Sequence, residues 1–343
     1  GGWPFGSPSV LMMFYRAPGE LEGELAEMDE CMPHYYKVTN NHGQGAETIM
    51  RAEALFCQGH FTDAHIELER AYAQVRDNGQ INMALCCDFL SRRLSLHTDM
   101  EQRYTFAERY AELLQYHDAS WINIWCATSA YYHALRGEAE EIPEIFSQHR
   151  LSAVNMLAPG KPMMEMIENQ VYLAQGSYAK VVGRSAELHY ALVALHIRIQ
   201  TAAAYEKLGK TEEARVWLRK ALADAEPDGF VMPFVENYDC LQPILAREMK
   251  NELTVKITDL GEAAKARNAA SVRPAAFDVL TAREFEIVEL MVQRLSNREI
   301  AEKLYLSEGS VKQYANQIYS KLHVDGDTRT KRKQLAELLG QKP

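Results

Sequence analysis

The chain has 343 residues, of which 47% are hydrophobic and 24% are charged, and its formal net charge is −10. The hydrophobic content excludes a chain that is disordered throughout, and the length predicts two or three domains with buried cores. The negative net charge excludes a protein that coats nucleic acid along its whole length.

Membrane, secretory and metal-binding classes are disfavoured as well. No apolar run approaches the roughly 18 residues that a membrane span needs, and the opening segment lacks the pattern of a signal peptide. The six cysteines show neither a C-x-x-C pair nor the spacing of metal ligands. We therefore predict a cytoplasmic protein with reduced thiols, no metal and no cofactor. Because the chain opens with Gly1 rather than Met, we expect it to be a fragment or a processed product.

From about Ala46 to Glu236 the pattern predicts helices separated by Gly or Pro. Four segments align on their glycines, at positions 59, 137, 176 and 209, with small residues where two helices would cross. These segments resemble the tetratricopeptide repeat, a helix–turn–helix unit of about 34 residues that stacks into a superhelix. Residues 11–40 predict a further, degenerate helix pair. The predicted fold is all-α, with a helical-repeat domain over residues 1–250.

Aromatic residues of this repeat domain have two interpretations. The simpler one is packing between helices. The other is that some of them line a cavity for a small ligand, because amphipathic rings are common in such sites. The candidates for ligand binding are Trp121, Trp125, Tyr131, Tyr132 and Tyr172.

Motifs that suggest catalysis have simpler explanations. The letters L-G-K-T at 208–211 imitate the end of a phosphate-binding loop, but Ala204 stands where that motif needs its first glycine. The histidines show no H-E-x-x-H arrangement, and no Ser or Cys lies in a nucleophile elbow. We predict that the chain is not an enzyme.

The charge is distributed unevenly along the chain. Residues 280–343 contain 11 Lys or Arg and 9 Asp or Glu, a balance of +2, so residues 1–279 carry −12. This asymmetry is typical of a protein that binds a polyanion at one end only. Small residues and Pro274 predict a linker over residues 251–276, and the final domain is predicted over residues 277–343.

Three short helices are predicted in this final domain. Thr281 with Glu284 and Ser296 with Glu299 form capping-box patterns, and Ser307 is a third predicted cap. In the third helix an apolar seam is predicted to face the core: Val311, Ala315, Ile318 and Leu322.

The opposite side of the third helix is polar and carries no acid, and we call it the polar face: Gly309, Lys312, Gln313, Asn316, Gln317 and Ser320. A solvated helix side would more often mix Glu with Lys. Lys can bind the O6/N7 edge of guanine, and Gln or Asn can bind the N6/N7 edge of adenine in the major groove. The polar face therefore predicts a recognition helix, which the short preceding helix would hold across the groove.

Residues 280–324 resemble the DNA-binding domain of the LuxR family of bacterial regulators. The resemblance rests on L-T-x-R-E at 280–284, S-N-x-E-I-A at 296–301, S-V-K at 310–312 and K-L-x-V at 321–324. It implies base contacts by Lys312, Gln313 and Asn316. It also implies contacts to the DNA backbone by four further residues: Ser310, Lys321, Asn297 and Gln317.

The sequence departs from this family at three places. Arg294 replaces the usual glycine before the Ser-Asn pair, which in a left-handed turn costs about 1 kcal/mol. Tyr314 replaces a common histidine, and the segment before the last helix is longer than usual. Helical repeats followed by this domain also resemble the C-terminal half of the large ATP-dependent LuxR regulators, the group of the maltose-regulon activator. In that group an ATPase module precedes the repeats, and the repeats bind a small-molecule inducer.

The sequence thus predicts a transcriptional regulator that senses a small-molecule inducer and binds double-stranded promoter DNA. Expected partners are RNA polymerase and a second copy of the chain, since such domains usually bind DNA as dimers. Two roles are open for the leucines of the last helix, contact with a second copy of the chain or packing in the core of their own domain: Leu335, Leu338 and Leu339. In the alternative hypothesis the repeats are a scaffold, and a partner protein controls the regulator.

Overall fold

A computed structural model describes residues 6–151, 154, 160–183, 190–271, 274–277 and 279–340. Every regular element in these ranges is helical, as the sequence predicts. In chain order the α-helices are α1 (Val10–Phe14), α2 (Leu21–Val38), α3 (Ala46–Cys57), α4 (Phe61–Asn78), α5 (Ile81–Ser95), α6 (Phe106–Leu113), α7 (Ala119–Leu135), α8 (Glu144–Ser147), α9 (Lys161–Ala174), α10 (Tyr178–Val182), α11 (Ala191–Lys207), α12 (Thr211–Ala225), α13 (Met232–Val235), α14 (Tyr238–Leu245), α15 (Glu252–Ser271), α16 (Ala282–Val292), α17 (Asn297–Leu304), α18 (Glu308–Lys321) and α19 (Thr328–Leu338).

The chain divides into two compact units, Gly1–Arg267 and Asn268–Pro343, which we call the N-terminal and C-terminal units. The segment predicted as a linker is helical for most of its length, since α15 covers residues 252–271. Its alanines explain this, because Ala is the strongest helix former. In the N-terminal unit, the pair predicted over residues 11–40 consists of the short α1 and the longer α2.

Two helix pairs of the N-terminal unit, α3 with α4 and α11 with α12, are built alike. Each pair buries an alanine at three matching positions, where a small side chain lets two helices approach closely. These residues are Ala52, Ala64 and Ala71 in the first pair and Ala202, Ala214 and Ala221 in the second. The small positions predicted from the repeat pattern are therefore in the core.

The turns after α3, α7, α9 and α11 share one hydrogen-bonded conformation. Its glycine is the second residue after the helix, and φ is 81°, 70°, 73° and 75° at Gly59, Gly137, Gly176 and Gly209. In each turn the glycine N–H donates to the carbonyl three residues earlier, and the next N–H donates to the carbonyl five residues earlier. Only glycine adopts this positive φ without a Cβ clash. At Gly209 this helix-ending turn accounts for the letters that imitate a phosphate-binding loop.

A buried ion pair connects several helices of the N-terminal unit. Arg93 of α5 donates from Nε to Glu236 Oε1 over 2.7 Å, and the two side chains are 3% and 1% exposed. The Tyr131 hydroxyl of α7 donates to the other carboxylate oxygen. Burial lowers the pKa of Arg93, but the Glu236 charge, the neighbouring Tyr131 and Cys57 and the hydrogen bond to Glu236 together outweigh burial, so that the pKa rises above its ordinary value. The pair therefore joins α5, α7 and the residue after α13.

The C-terminal unit has its own hydrophobic core, formed by α16–α19. Its fully buried side chains include Phe277, Ile287, Val288, Ile300, Val311, Ile318 and Leu335. No helix in the described ranges is long and apolar enough to cross a membrane. Among the described residues, no group of three or more His, Cys, Asp or Glu side chains could hold a metal ion.

Candidate nucleic-acid interface

Helices α16, α17 and α18 begin at the predicted caps. The Thr281 and Ser296 hydroxyls each accept a hydrogen bond from the backbone N–H three residues later. In return, the Glu284 and Glu299 carboxylates accept a hydrogen bond from the backbone N–H of the cap residue. Ser307 accepts from the N–H of Ser310 at the start of α18. Each cap satisfies a backbone donor that the helix itself leaves unpaired. The caps thus fix the residues at which α16, α17 and α18 begin.

The first turn of α16 holds the next two helices in place. Arg283 Nη2 donates to the carbonyl of Leu304, the last residue of α17, over 2.8 Å. Lys321 Nζ of α18 donates to both carboxylate oxygens of Glu284, each over 2.8 Å. Burial raises the pKa of Glu284, but the bonds from Lys321 and Thr281 outweigh burial and bring the pKa below its ordinary value. The L-T-x-R-E segment is therefore the structural support of the α17–α18 pair.

Helix α18 has one buried and one exposed side. Val311, Ala315 and Ile318 are buried as predicted, whereas Leu322 is only half-buried. Tyr319 is also buried, although the predicted seam does not include it. On the other side every residue of the polar face is exposed: Gly309, Lys312, Gln313, Asn316, Gln317 and Ser320. A duplex could meet this side without unfolding any part of the C-terminal unit.

The seven predicted DNA contacts fall into two groups. The side chains of Lys312, Gln313, Asn316 and Gln317 make no hydrogen bond or ion pair with any described residue. The other three, Ser310, Lys321 and Asn297, have partners within the protein. Ser310 shares a hydrogen bond of 2.8 Å with the Ser307 hydroxyl, and Asn297 Oδ1 accepts from Arg332 over 3.3 Å.

Arg332 of α19 is a supporting residue that the sequence reasoning missed. Its Nη1 donates to the carbonyl of Leu295 over 2.5 Å, and its Nη2 reaches Asn297 at the start of α17. Arg332 thus fixes the corner at which the chain enters α17. Its signal in the sequence is weak, because a basic residue in a basic run is ordinarily a solvated one.

The corner after α16 keeps a left-handed residue despite the lack of glycine. Arg294 has φ 67°, its N–H donates to the carbonyl of Met291, and the next N–H donates to Leu290. This is the bonding pattern of the glycine turns in the N-terminal unit. The turn therefore keeps its shape, and the free-energy cost of about 1 kcal/mol is backbone strain at Arg294.

Replacing Arg294 with Gly is expected to raise the free energy of unfolding of the C-terminal unit by about 0.5–1 kcal/mol. Glycine removes the Cβ strain, although its freedom in the unfolded chain offsets part of the gain. Urea titration followed by circular dichroism measures the change. The control is Gln293→Gly, whose φ is −69° and which should destabilise the unit instead. Equal effects of the two variants would contradict this account of the corner.

Replacing Lys321 with Ala is expected to destabilise the C-terminal unit by about 1–2 kcal/mol, because Glu284 would remain buried without its partner. Its side chain is 39% exposed, which keeps the effect below that of a fully buried pair. Urea denaturation measures this loss, and Lys321→Arg should retain most of the stability. If Lys321 also contacts a DNA phosphate, Lys321→Ala should change the salt dependence of DNA binding. The slope of the logarithm of the binding constant against the logarithm of the salt concentration should then become shallower by about one unit.

The five predicted ligand-binding residues lie in different surroundings. Tyr131 is fully buried and its hydroxyl donates a hydrogen bond to Glu236, and Trp121 is buried as well. Tyr172 stacks on His149 with ring centroids 3.8 Å apart. Trp125 and Tyr132 both contact Phe106, at centroid distances of 5.9 and 5.5 Å, and both are half-buried. The structure therefore brings only this last pair together around one ring.

The three leucines predicted in the last helix differ in their burial. Leu335 is fully buried in the core of the C-terminal unit, so it packs within its own domain. Leu338 is 39% exposed and Leu339 is half-buried. An interface with a second copy would thus involve Leu338 rather than Leu335.

Comparisons with known proteins place the C-terminal unit in a family. Residues 278–332 match the family model described as bacterial regulatory proteins, luxR family. The transcriptional regulatory protein LnrK of Bacillus subtilis (strain 168) is 48% identical over 50 residues, and the transcriptional regulatory protein DegU of Brevibacillus brevis is 43% identical over 51 residues. Each match covers 15% of this chain.

The chain spans less than a quarter of the length of these curated relatives, 23% and 22% respectively. No solved structure matches the chain. The family match falls entirely within the C-terminal unit, where α17 and α18 are held by the first turn of α16. The C-terminal unit of this chain is a helix-turn-helix domain of the luxR family of bacterial regulatory proteins.

Proposed function

We propose that this chain is a cytoplasmic transcriptional regulator that binds promoter DNA through the polar face of α18. The observation that carries the proposal is that this face is exposed, free of acids and without partners among the described residues. A helix of about this width fits the major groove of B-form DNA. Helix α17, held by Arg283, would then cross the DNA backbone and set the angle of α18.

The roles of the side chains follow from their donors and acceptors. Lys312 would bind the O6/N7 edge of guanine, and Gln313 and Asn316 would bind the N6/N7 edge of adenine. Gln317 at the rim of the polar face, with Ser310 and Asn297, would contact the DNA backbone. Lys321 would also contact the DNA backbone, through the ammonium N–H that its two bonds to Glu284 leave free.

The regulator is proposed to bind DNA as a homodimer on two half-sites, with RNA polymerase as its further partner. Domains of this type place two recognition helices in successive major grooves. Leu338 offers an exposed apolar contact for the second copy. The gain from pairing is avidity, since the second half-site binds as an intramolecular step.

The N-terminal unit is proposed to be a tetratricopeptide-like sensor of a small molecule. Four identical helix-ending turns and two alanine-crossed helix pairs support the repeat. The resemblance to the large ATP-dependent LuxR regulators supports the sensing role. A scaffold for a partner protein would instead present exposed rings, whereas the five candidate rings are buried or half-buried.

Two measurements on the full chain test the proposal. A thermal-shift screen against metabolites identifies compounds that stabilise the N-terminal unit by mass action. Fluorescence anisotropy with a selected DNA duplex then measures DNA affinity with and without each compound. We expect a stabilising compound to change DNA affinity by roughly 5–150-fold, because coupling between two sites is reciprocal. A chain that binds no duplex specifically would contradict the regulator, and compounds without effect on DNA would contradict the sensor.

A further inference from the structure

Arg92 of α5 has an unusual environment inside the N-terminal unit. Its side chain is almost fully buried, at 1% relative exposure for the residue. Yet none of its three guanidinium nitrogens has a hydrogen-bond partner among the residues that the structure describes. Burial lowers the pKa of Arg92, although the nearby Asp88 opposes that shift. A buried charge with five unused N–H donors is costly, and it calls for an anionic partner.

Asp88, whose charge acts on Arg92, makes no hydrogen bond to it and is already engaged by other groups. Asp88 Oδ2 accepts from Arg109 Nε over 2.6 Å. Asp88 Oδ1 accepts from the Tyr72 hydroxyl over 2.7 Å and from Arg109 Nη2 over 3.2 Å. Arg109 also pairs with Glu112. One arginine of this cluster is therefore fully paired, and the other, Arg92, is not.

The guanidinium of Arg92 lies under aromatic side chains that reach the surface. Its Cζ is 3.8 Å from the centroid of the Phe106 ring, a cation–π contact. Phe106 in turn contacts Trp125 and Tyr132, and all three rings are half-buried. Gln102 donates to the Tyr132 hydroxyl over 3.2 Å at the same place. An anion that reached Arg92 would thus have apolar ring faces around the rest of its body.

We infer that Arg92, Phe106, Trp125 and Tyr132 form a binding site for a small carboxylate with an apolar or aromatic body. This inference rests on the proposed sensing role of the N-terminal unit and names the ligand class. The planar fork of a guanidinium matches the two oxygens of a carboxylate, and the rings match an apolar body. A carboxylate carries one charge, so it loses less hydration on burial than a phosphate dianion does.

Two matched arginine variants separate a ligand-binding Arg92 from a structural one. Arg92→Met removes a charge that has no hydrogen-bond partner among the described residues, so the melting temperature Tm of the ligand-free chain should stay the same or rise. Arg109→Met leaves Asp88 buried without its partner, so Tm should fall by at least about 5 °C. Differential scanning calorimetry of the full chain gives both values. If Arg92→Met lowers Tm as Arg109→Met does, Arg92 is a structural residue and the inference fails.

Carboxylate probes test binding directly. The series runs from acetate through benzoate and phenylacetate to indole-3-acetate, each at millimolar concentration, with benzamide and phenylacetamide as uncharged controls. At about ten times the dissociation constant, a probe should raise the Tm of a domain of this size by about 3–6 °C. Arg92→Met should weaken binding at least about 30-fold by isothermal titration calorimetry, and the amides should have no effect.

The outcomes distinguish this inference from the proposed function. No stabilisation by any carboxylate, or equal stabilisation of wild type and Arg92→Met, overturns the site at Arg92. The metabolite screen and the DNA measurements remain valid in that case, because neither depends on Arg92. Conversely, a carboxylate that binds at Arg92 without changing DNA affinity supports the site but contradicts its regulatory use.

Discussion

Replacing Glu236 with Ala is expected to lower the free energy of unfolding of the N-terminal unit by about 3–5 kcal/mol. The change leaves Arg93 charged and buried, at 3% exposure, without the carboxylate that holds it. It also removes the acceptor of the Tyr131 hydroxyl. Urea denaturation of the full chain, followed by circular dichroism, measures the loss in the transition of this unit.

A triple variant provides the control for this loss. Arg93→Met, Tyr131→Phe and Glu236→Leu together remove all three polar groups and keep similar volumes. Replacing a buried ion pair by apolar residues is often neutral or stabilising, so the triple variant should recover most of the stability. If Glu236→Ala cost less than about 1 kcal/mol, the pair would be solvated, contrary to its buried position.

Replacing Lys312 or Asn316 with Ala is expected to cost about 1–3 kcal/mol of binding free energy at the cognate DNA site. Base preference should relax at the position that each side chain contacts. Because both side chains are exposed and unpartnered among the described residues, neither change should lower the stability of the C-terminal unit. Fluorescence anisotropy with the cognate duplex and with single-base variants measures both effects.

The matched control is Lys303→Ala in α17, which removes the same charge from an exposed position outside the polar face. Loss of charge alone weakens binding to all sequences alike. Lys303→Ala should therefore leave base preference unchanged. If Lys312→Ala weakened all duplexes equally, as Lys303→Ala does, Lys312 would be a phosphate contact and not a base contact.

Local interactions could be predicted from the sequence. The caps at Thr281, Ser296 and Ser307 each join residues three positions apart, so the residue pattern contains both partners. The helix-ending turns are equally local, because glycine provides the positive φ that they need without the strain of a Cβ. The two sides of α18 followed from helical periodicity, although Tyr319 shows that a large aromatic residue can join the buried side from its margin.

Contacts between distant residues could not be predicted in this way. Arg93 and Glu236 are 143 positions apart, and Arg332 lies 37 positions from the carbonyl that it binds. Charged residues on helices are ordinarily solvated, so nothing in the periodicity indicated that Arg92 and Arg93 are buried. For the same reason the ion pair between Lys321 and Glu284 could not be predicted.

The selection of duplexes from a random-sequence pool by the full chain tests the central claim most directly. The account predicts that the wild type enriches a motif of two related half-sites about 10 base pairs apart. The variant Lys312→Ala, Gln313→Ala, Asn316→Ala should keep its circular dichroism spectrum and enrich no motif. Enrichment of the same motif by this variant would show that the polar face of α18 does not recognise DNA sequence.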